Sequence, residues 1–442
     1  TDRYGNVHVF WSEDVDGEPY LGDRPPGAGH AIFYCRWDGV SWSSPVDVVF
    51  DANSPLSYPA AVVDLNDKIH LVMRSFSGLL HAQAPVWSAT EARAWTSAKV
   101  IAEAQADDSV SFLADTGGKL HLLYAMWKNV RDGRQDSNVY YISSTDGGDS
   151  WTNPVQLSWE SAPESAVSTM PRLAIDRQGR LHAVWTRSLA PIWFGGNVFY
   201  SRSDDGGQAW LKPVELDRKR EDYGVHAGNI VANGNDEVHV VWMCGKVAGR
   251  CHQWSSDGGK TWFTSQQLFG TLHSLAGWDT LVVDSSDTPY WVLQLRYPEA
   301  IYYTYWDGTR WNNPPIPFVT APLSLAQGHM LSMAVRNGNE LSLVFQLQRG
   351  AEIYYVRGLT SSAGVLPMPT PTVQSTIPAF PIVIGSTPLP TSNGKVSVST
   401  VGFLPPEKMP ETYSQSSMLV SLAPVIVVLG ITVAVVTLRK HR

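Results

Sequence analysis

The stretch Ser144-Thr145-Asp146-Gly147-Gly148-Asp149-Ser150-Trp151 decides the fold, because its pattern S-x-D-G-G-x-x-W occurs three times. The other copies, 203–210 and 255–262, place the motif about every 50 to 60 residues. Each copy lies between runs of aromatic and β-branched residues, which are strand formers. Paired glycines suit a tight hairpin, and the aspartate accepts hydrogen bonds within it. Three copies of one constellation therefore predict repeated β-hairpins with a structural role.

A second repeated segment precedes these turns and carries a histidine in the middle of an apolar strand. Its first copy, residues 2–11, contains His8. The other copies are 64–73 with His70, 115–124 with His121, 176–185 with His182, 233–242 with His239, and the weaker 284–293 and 336–345. Because the histidine returns at the same place in five copies, we expect it to belong to the scaffold.

Together the repeats make seven units, with shorter versions of the turn at 37–42 and 306–311. A period of this length with four strand-forming segments predicts an all-β protein, a β-propeller of four-stranded antiparallel blades. We name the strands A to D from the channel outward. The first unit begins at strand B and the last ends at strand C, so both are incomplete. We expect a signal peptide and about two strands to precede Thr1.

The repeated turn resembles the Asp-box, or BNR repeat, of sialidase-like β-propellers. The resemblance covers residues 1–360, the predicted propeller. It implies six blades, the usual number in sialidases, whereas the repeats count seven, and both numbers stay open. It also implies a protein that binds or processes glycans outside the cell. As connections between strands C and D, the turns lie at the end of the propeller opposite to the expected ligand site.

The composition excludes a nucleic-acid partner. The chain carries a net charge of −8 and shows no basic stripe, so it lacks the cationic surface that a phosphate backbone requires. Only 17% of the residues are charged, beside 18 Trp and 17 Tyr, as expected for a β-protein. We expect a monomer without a cofactor or a metal, and no C-x-x-C pattern is present.

The three cysteines suit an exported protein. Cys244 and Cys251 flank a short connection between strands B and C of the fifth unit. Such positions at a hairpin mouth are compatible with a disulfide, and two free buried thiols are the alternative. Cys35 has no evident partner in the sequence.

The C-terminal region predicts a membrane anchor. Residues 361–416 are rich in Pro, Thr and Ser and predict a disordered stalk. Residues 417–438 are uncharged and apolar, about the length of one transmembrane helix, and the basic residues 439–442 follow. The positive-inside rule puts this tail in the cytoplasm and the propeller outside the cell. The alternative is a cell-wall sorting signal, which residues 409–413 (Met-Pro-Glu-Thr-Tyr) resemble with two departures.

Candidate binding residues lie where the B strands end and the A strands begin. Arginines follow strand B in units two, four, six and seven: Arg74, Arg187, Arg296 and Arg349. The planar guanidinium suits bidentate binding of a carboxylate, so these arginines predict a clamp for an acidic ligand. The same end of the propeller also carries Glu13, Asp107, Trp127 and Asp279.

The family resemblance implies further roles. Sialidases hold the sialic acid carboxylate with three arginines and use a tyrosine nucleophile, a glutamate and an acidic aspartate. The residues that match these roles are Arg74, Arg187 and Arg296 for the clamp, Arg349 and Trp278 as further substrate-binding residues, Tyr223 with Glu221 (or Tyr297 with Glu299) for the nucleophile pair, and Asp108 or Asp107 for the acid.

One departure from the family bears on activity. The N-terminal Phe/Tyr-Arg-Ile-Pro motif is absent, and the segment Met170-Pro171-Arg172-Leu173 has a different order and lies mid-chain. We therefore favour a membrane-anchored surface protein that binds extracellular glycans or glycoproteins without cleaving them. An active exo-sialidase is the alternative.

Overall fold

The structure, a computed structural model, describes residues 1–13, 30–102, 106–129, 135–158, 166–189, 196–216, 226–244, 249–270, 279–295, 300–320, 331–346 and 353–370. Within these ranges it consists of β-strands and one 3-10 turn, Ala92–Ala94. The predicted all-β class is confirmed.

The strands form six hydrogen-bonded sheets, and one of these, with eight strands, consists of two antiparallel halves joined by a single parallel pair, Ser137 with Val167. We call the resulting seven antiparallel groups sheets 1 to 7. Sheet 1 contains β1 (Val7–Glu13), β2 (Ala31–Trp37) and β3 (Val46–Phe50), and sheet 2 contains β4 (Ser57–Val63), β5 (Lys68–Ser75), β6 (Gly78–Pro85) and β7 (Lys99–Ala102). Sheet 3 contains β8 (Ala106–Ala114), β9 (Leu120–Asn129), β10 (Gln135–Ser144) and β11 (Val155–Gln156), and sheet 4 contains β12 (Ala166–Ile175), β13 (Leu181–Leu189), β14 (Gly196–Ser203) and β15 (Val214–Leu216).

The remaining sheets repeat this order. Sheet 5 contains β16 (His226–Ala232), β17 (Val238–Cys244), β18 (Gly249–Ser255) and β19 (Gln266–Leu268), sheet 6 contains β20 (Thr280–Val283), β21 (Pro289–Leu295), β22 (Ala300–Tyr305) and β23 (Ile316–Val319), and sheet 7 contains β24 (Ser332–Arg336), β25 (Glu340–Gln346) and β26 (Ile353–Leu359). Sheets 2 to 6 have four strands, A to D. In the described residues, sheet 1 has strands B to D and sheet 7 has strands A to C.

Apolar side chains pack each sheet against the next. Within the described ranges one cluster joins each consecutive pair, beginning with Tyr34 of sheet 1 against Leu71 of sheet 2. A further cluster joins Val9 and Trp37 of sheet 1 to Tyr355 of sheet 7. The A strands of sheets 2 to 7 also contact one another in order. This cyclic packing is consistent with a propeller.

The repeated S-x-D-G-G-x-x-W segments are hairpin turns between strands C and D, as predicted. In sheet 3, Asp146 Oδ1 accepts a hydrogen bond from the Ser150 N–H at 2.9 Å, and Ser144 Oγ accepts one from the Gly148 N–H at 2.8 Å. Gly147 and Gly148 have φ of 72° and 88°, which glycine adopts without strain. The turns therefore stabilise hairpins and hold no reactive group.

Each repeated histidine is buried in strand B between a carboxylate and a ring of strand C. In sheet 3, His121 Nε2 lies 3.2 Å from Asp115 Oδ2, and Nδ1 lies 2.7 Å from the Tyr141 hydroxyl oxygen. The matching sets are Asp2–His8–Tyr34, Asp64–His70–His81, Asp176–His182–Tyr200 and Glu237–His239–His252. Burial lowers the pKa of all five strand B histidines. This arrangement supports the predicted scaffold role.

The strand C ring also touches the turn of the following sheet. The Tyr141 hydroxyl donates to the carbonyl oxygen of Gly206 at 3.3 Å, and a Cβ on Gly207 would overlap that hydroxyl. Gly148 stands against His81 in the same way, and Gly259 against Tyr200. The second glycine of each turn is therefore required by a neighbouring sheet as well as by its own hairpin.

Residues 360–368, which we call the strap, run across sheets 6, 7 and 1. Their contacts are the hydrogen bonds Ser362 Oγ to Asp284 Oδ2 at 2.5 Å, Val365 N to Asn337 O at 2.7 Å and Met368 N to Arg3 O at 2.9 Å. Asp284 and Asn337 lie in the A–B turns of their sheets. The strap thus links the last sheets to the first, at the same end as the repeated turns.

The described cysteines divide as one disulfide and one free thiol. Cys244 and Cys251 are bonded, with Cα atoms 5.8 Å apart, so of the two alternatives that the sequence left open the disulfide is the one that forms. The strand register pairs Cys244 with Gly249 and Cys251 with Trp242, so the bond is diagonal across the hairpin. Cys35 is buried, and burial raises the pKa of its thiol to about 12.

The predicted anchor is not part of the described structure. In the ranges given above, no helix is long and apolar enough to cross a membrane. Residues 371–442, which include most of the predicted stalk and the whole apolar segment, lie outside the described residues.

Candidate functional site

The sheets present two different ends. The A–B and C–D turns, with the strap, form what we call the turn end, and the B–C and D–A connections form the loop end. Of the predicted site residues, Arg74 and Arg187 are described at the loop end, and Asp108 is described only as part of β8. The others lie outside the described residues: Glu221, Tyr223, Trp278, Arg296 and Arg349.

Arg74 lies near the end of β5, half-buried, on the side of sheet 2 that faces sheet 3. Val72 belongs to the cluster between sheets 2 and 3, whereas Met73 packs toward sheet 1. Since successive strand residues point to opposite faces, Arg74 shares the side of Val72. In the register it pairs with Ser57 and Leu79, at the loop end of the sheet.

Arg187 lies near the end of β13 and is half-buried on the side of sheet 4 that faces sheet 3. Trp185, two residues earlier, belongs to the cluster between sheets 3 and 4. The Arg187 guanidinium carbon stands 5.8 Å from the ring centre of Phe199, which packs against the same cluster. This cation–π contact orients the guanidinium while leaving its N–H donors for other partners.

The two arginines therefore approach sheet 3 from its two sides. They do not occupy equivalent positions, because Arg74 is four residues after His70 and Arg187 is five after His182. Sheets 2 and 4 turn opposite faces toward sheet 3, and the offset of one residue directs both side chains to it. Trp127, in β9, shares the side of Ala125, which faces sheet 4 and so Arg187.

The A strands of sheets 2, 3, 4 and 5 are all irregular at the loop end, and β16 of sheet 5 shifts register between His226 and Asn229. β4 bulges between Ser57 and Ala60, and β12 between Thr169 and Arg172. Tyr58 and Met170, inside these bulges, have φ of 51° and 54°, each followed by a proline. Such strained conformations in non-glycine residues concentrate at functional sites.

Between these two strands, β8 bulges between Ala106 and Val110, the segment that contains Asp108. The irregular backbone thus includes the sector that Arg74 and Arg187 flank and continues into sheet 5. The predicted acid Asp108 lies on the A strand of the sheet that both arginines face.

Arg172, which the sequence offered only as part of a mismatched motif, pairs with Val184 and therefore lies on the side of sheet 4 that faces sheet 5, outside this sector. It lies at the β12 bulge, and its guanidinium donates to the carbonyl oxygen of Pro171 at 2.9 Å. Burial lowers its pKa to about 10, so it stays charged at neutral pH. The signal for it in the sequence was the adjacent Met-Pro pair, which marks a strand irregularity.

Asp279, expected among the ligand-facing residues, is a core residue. Its carboxylate receives hydrogen bonds from Arg250 Nε at 2.6 Å and from the Trp291 indole N–H at 3.0 Å. All three side chains are buried between sheets 5 and 6. Paired in this way, the carboxylate is not available to a ligand, and the expectation for Asp279 was wrong.

Within the described residues, no group of three or more His, Cys, Asp or Glu side chains is placed to hold a metal ion. The site there is cationic and partly aromatic. Such a site is chemically suited to bind a carboxylate on an apolar frame.

The chain matches no protein-family model and no curated protein sequence. Solved structures share its fold. An ulvan lyase, a polysaccharide lyase bound to -[GlcA(1-4)Rha3S]-, has 10% identity and a TM-score of 0.51 over 77% of this chain and 87% of its own. The polysaccharide lyase Uly1 has 9% identity and a TM-score of 0.51 over 78% and 85%. A Trypanosoma rangeli sialidase has 14% identity and a TM-score of 0.43 over 69% and 54%.

Proposed function

We propose that this protein is a seven-bladed, Asp-box β-propeller of the cell surface that binds acidic glycans at its loop end. The observation that carries the proposal is the placement of Arg74 and Arg187 on the sides of sheets 2 and 4 that face sheet 3. Two guanidiniums approaching one sector suit a sugar carboxylate, because each offers paired donors to a planar acceptor. Neutral glycans lack the group that these donors recognise.

The chemistry of the ligand is that of a sugar acid, and sialic acids and uronic acids both meet it. A protein of the same fold, the ulvan lyase, is bound to a saccharide that contains glucuronate, which is one such sugar. Trp127, in β9, supplies an aromatic surface on the side of sheet 3 that faces Arg187. These features serve recognition, and none of them is a nucleophile.

The membrane anchor remains part of the proposal. We infer it from residues 417–438, whose apolar composition and basic flank are typical of a single transmembrane helix. The strap carries the chain along the turn end as far as Met368.

Hydrolysis is the second candidate function, favoured by the position of Asp108 in β8 between the two arginines. In this reading Asp108 is the acid, and Tyr223 with Glu221 forms the nucleophile pair of an exo-sialidase. We rank it below binding because the family's N-terminal arginine motif is missing from the sequence.

Titration calorimetry with 3′-sialyllactose, a glucuronate oligosaccharide and lactose tests the proposal. Both acidic ligands, or one of them, should bind, and lactose should not. Arg187→Ala should abolish this preference while the protein stays folded. Binding of lactose as tightly as of its sialylated form would overturn the proposal. Release of fluorophore from a 4-methylumbelliferyl sialoside, lost in Asp108→Asn, would replace binding with hydrolysis as the function.

A further inference from the structure

A two-residue turn at the loop end of sheet 2 places an exposed aromatic residue two positions after Arg74. β5 ends at Ser75 and β6 begins at Gly78, so only Phe76 and Ser77 connect them. Phe76 follows Arg74 by two residues, which puts their Cα atoms within about 7 Å of each other. The side chain of Phe76 is 65% exposed.

Hydrogen bonds fix this turn from inside and from outside. The Phe76 N–H donates to Ser54 Oγ at 2.6 Å, and Ser54 is a buried residue of the connection from sheet 1. Ser75 Oγ donates to the carbonyl oxygen of Gly78 at 3.2 Å and lies 2.8 Å from Ser77 Oγ. The ring is therefore displayed on a pre-ordered backbone, and a ligand that packs on it would not have to order the loop.

A single exposed phenylalanine is common on protein surfaces and indicates nothing alone. Here the exposed ring belongs to the residue two positions after Arg74, whose side chain lies on the side of sheet 2 that faces sheet 3. The C–H groups on one face of a pyranose carry a small positive charge and pack well on the negative face of an aromatic ring. A cation and an aromatic face side by side match the two sides of an acidic saccharide, its carboxylate and its C–H face.

We infer that Phe76 is a glycan-binding residue, a platform for the apolar face of a pyranose next to the sugar acid that Arg74 holds. The inference rests on the proposed function and adds a preference for the length of the bound glycan. Because the platform recognises a sugar ring and not its charge, it favours an acidic disaccharide or longer glycan over a free sugar acid.

Calorimetry of Phe76→Ala with 3′-sialyllactose and with free sialic acid tests the assignment. We expect the variant to bind sialyllactose about fivefold more weakly and free sialic acid unchanged, since a stacked ring contributes about 1 kcal/mol. Phe76→Trp should restore the affinity. Phe263→Ala, which removes another half-exposed phenylalanine at the turn end, should leave binding unchanged.

The outcomes separate the two claims. If Arg187→Ala loses binding and Phe76→Ala does not, the platform is wrong and the glycan site stands. The platform is also overturned if Phe76→Ala weakens sialyllactose and free sialic acid equally. If the unsubstituted protein binds no acidic glycan, both claims fail together.

Discussion

The hydroxyl oxygen of Tyr141 lies 2.7 Å from Nδ1 of His121, in the middle of a chain of hydrogen bonds that crosses between sheets. The chain starts at Asp115, passes through the histidine, and ends at the carbonyl oxygen of Gly206 in the turn of sheet 4. Every member is buried or half-buried, and the polar groups bond one another across the two sheets. The repeated histidines and turns therefore form one hydrogen-bonded network that holds adjacent sheets together.

This network predicts that alanine lowers the stability of the protein by different amounts at the two glycines of one turn. Gly207→Ala should lower the free energy of unfolding by about 3 kcal/mol, because the new Cβ overlaps the Tyr141 hydroxyl and φ is positive. Gly206→Ala, at similar φ but with only the flexible Lys119 amine nearby, should cost about 1 kcal/mol. Chemical denaturation measures both. Equal losses in the two variants would contradict the inter-sheet contact.

The buried histidine pairs predict sensitivity to acid. Burial lowers the pKa of His81 to about 3, below its value of about 6.5 in the unfolded chain. The neutral ring is therefore favoured by folding, and this stability is present above pH 6.5 and lost as pH falls toward 3. Sheets 1, 3 and 4 have tyrosine at this place, so His81→Tyr should flatten the fall of Tm between pH 7 and 4. An unchanged slope would refute the assignment.

The disulfide of sheet 5 predicts a limited loss on reduction. Cys244 and Cys251 close a short loop, for which the chain-entropy estimate is about 2 kcal/mol. The free energy of unfolding of the double variant Cys244→Ala/Cys251→Ala should be lower by that amount. A reductant should lower the Tm of the unsubstituted protein only. A shift on adding reductant to the double variant would mean that Cys35, its one remaining cysteine, forms a disulfide between two copies of the chain.

The hydrogen bonds of the strap predict that the attachment of sheet 1 to sheet 7 depends on residues after the last strand. Met368→Pro removes the N–H that donates to the Arg3 carbonyl oxygen and should cost about 1 kcal/mol. Hydrogen exchange of β1 should rise in the variant, because sheet 1 loses a tie to sheet 7. Leu366→Ala is the control, since that side chain is 90% exposed. Equal protection of β1 in both variants would show that the strap is not a closure element.

Local patterns allowed much of the fold to be predicted from the sequence, and the site less so. The S-x-D-G-G-x-x-W turns and the histidine strands act within one hairpin, so their spacing gave the strands and their order. The approach of Tyr141 to Gly207 joins residues of different sheets, and no local pattern reports it. The ion pair of Asp279 with Arg250 also joins two sheets, so the sequence did not reveal it. Asp279 was therefore expected to face a ligand, whereas it is buried in that pair.

The position of Arg74 and Arg187 shows the limit most clearly. From the sequence they read as equivalent residues of two units. Counted from the strand B histidine, Arg187 lies one residue further along its strand than Arg74. Both face sheet 3 because sheets 2 and 4 turn opposite faces toward it. That relationship requires the packing clusters, which depend on side chains far apart in the chain.

The central claim is that Arg74 and Arg187 serve one acidic ligand from the two sides of sheet 3. A double-mutant cycle of Arg74→Ala and Arg187→Ala, read by calorimetry with 3′-sialyllactose or whichever acidic glycan binds, tests it most directly. Each single variant should lose roughly 10- to 100-fold in affinity, and the double variant clearly less than the product, because the arginines share one carboxylate. Arg93→Ala, an exposed arginine at the turn end, should bind normally. Unchanged affinity in both single variants, or losses that multiply fully, would contradict the account.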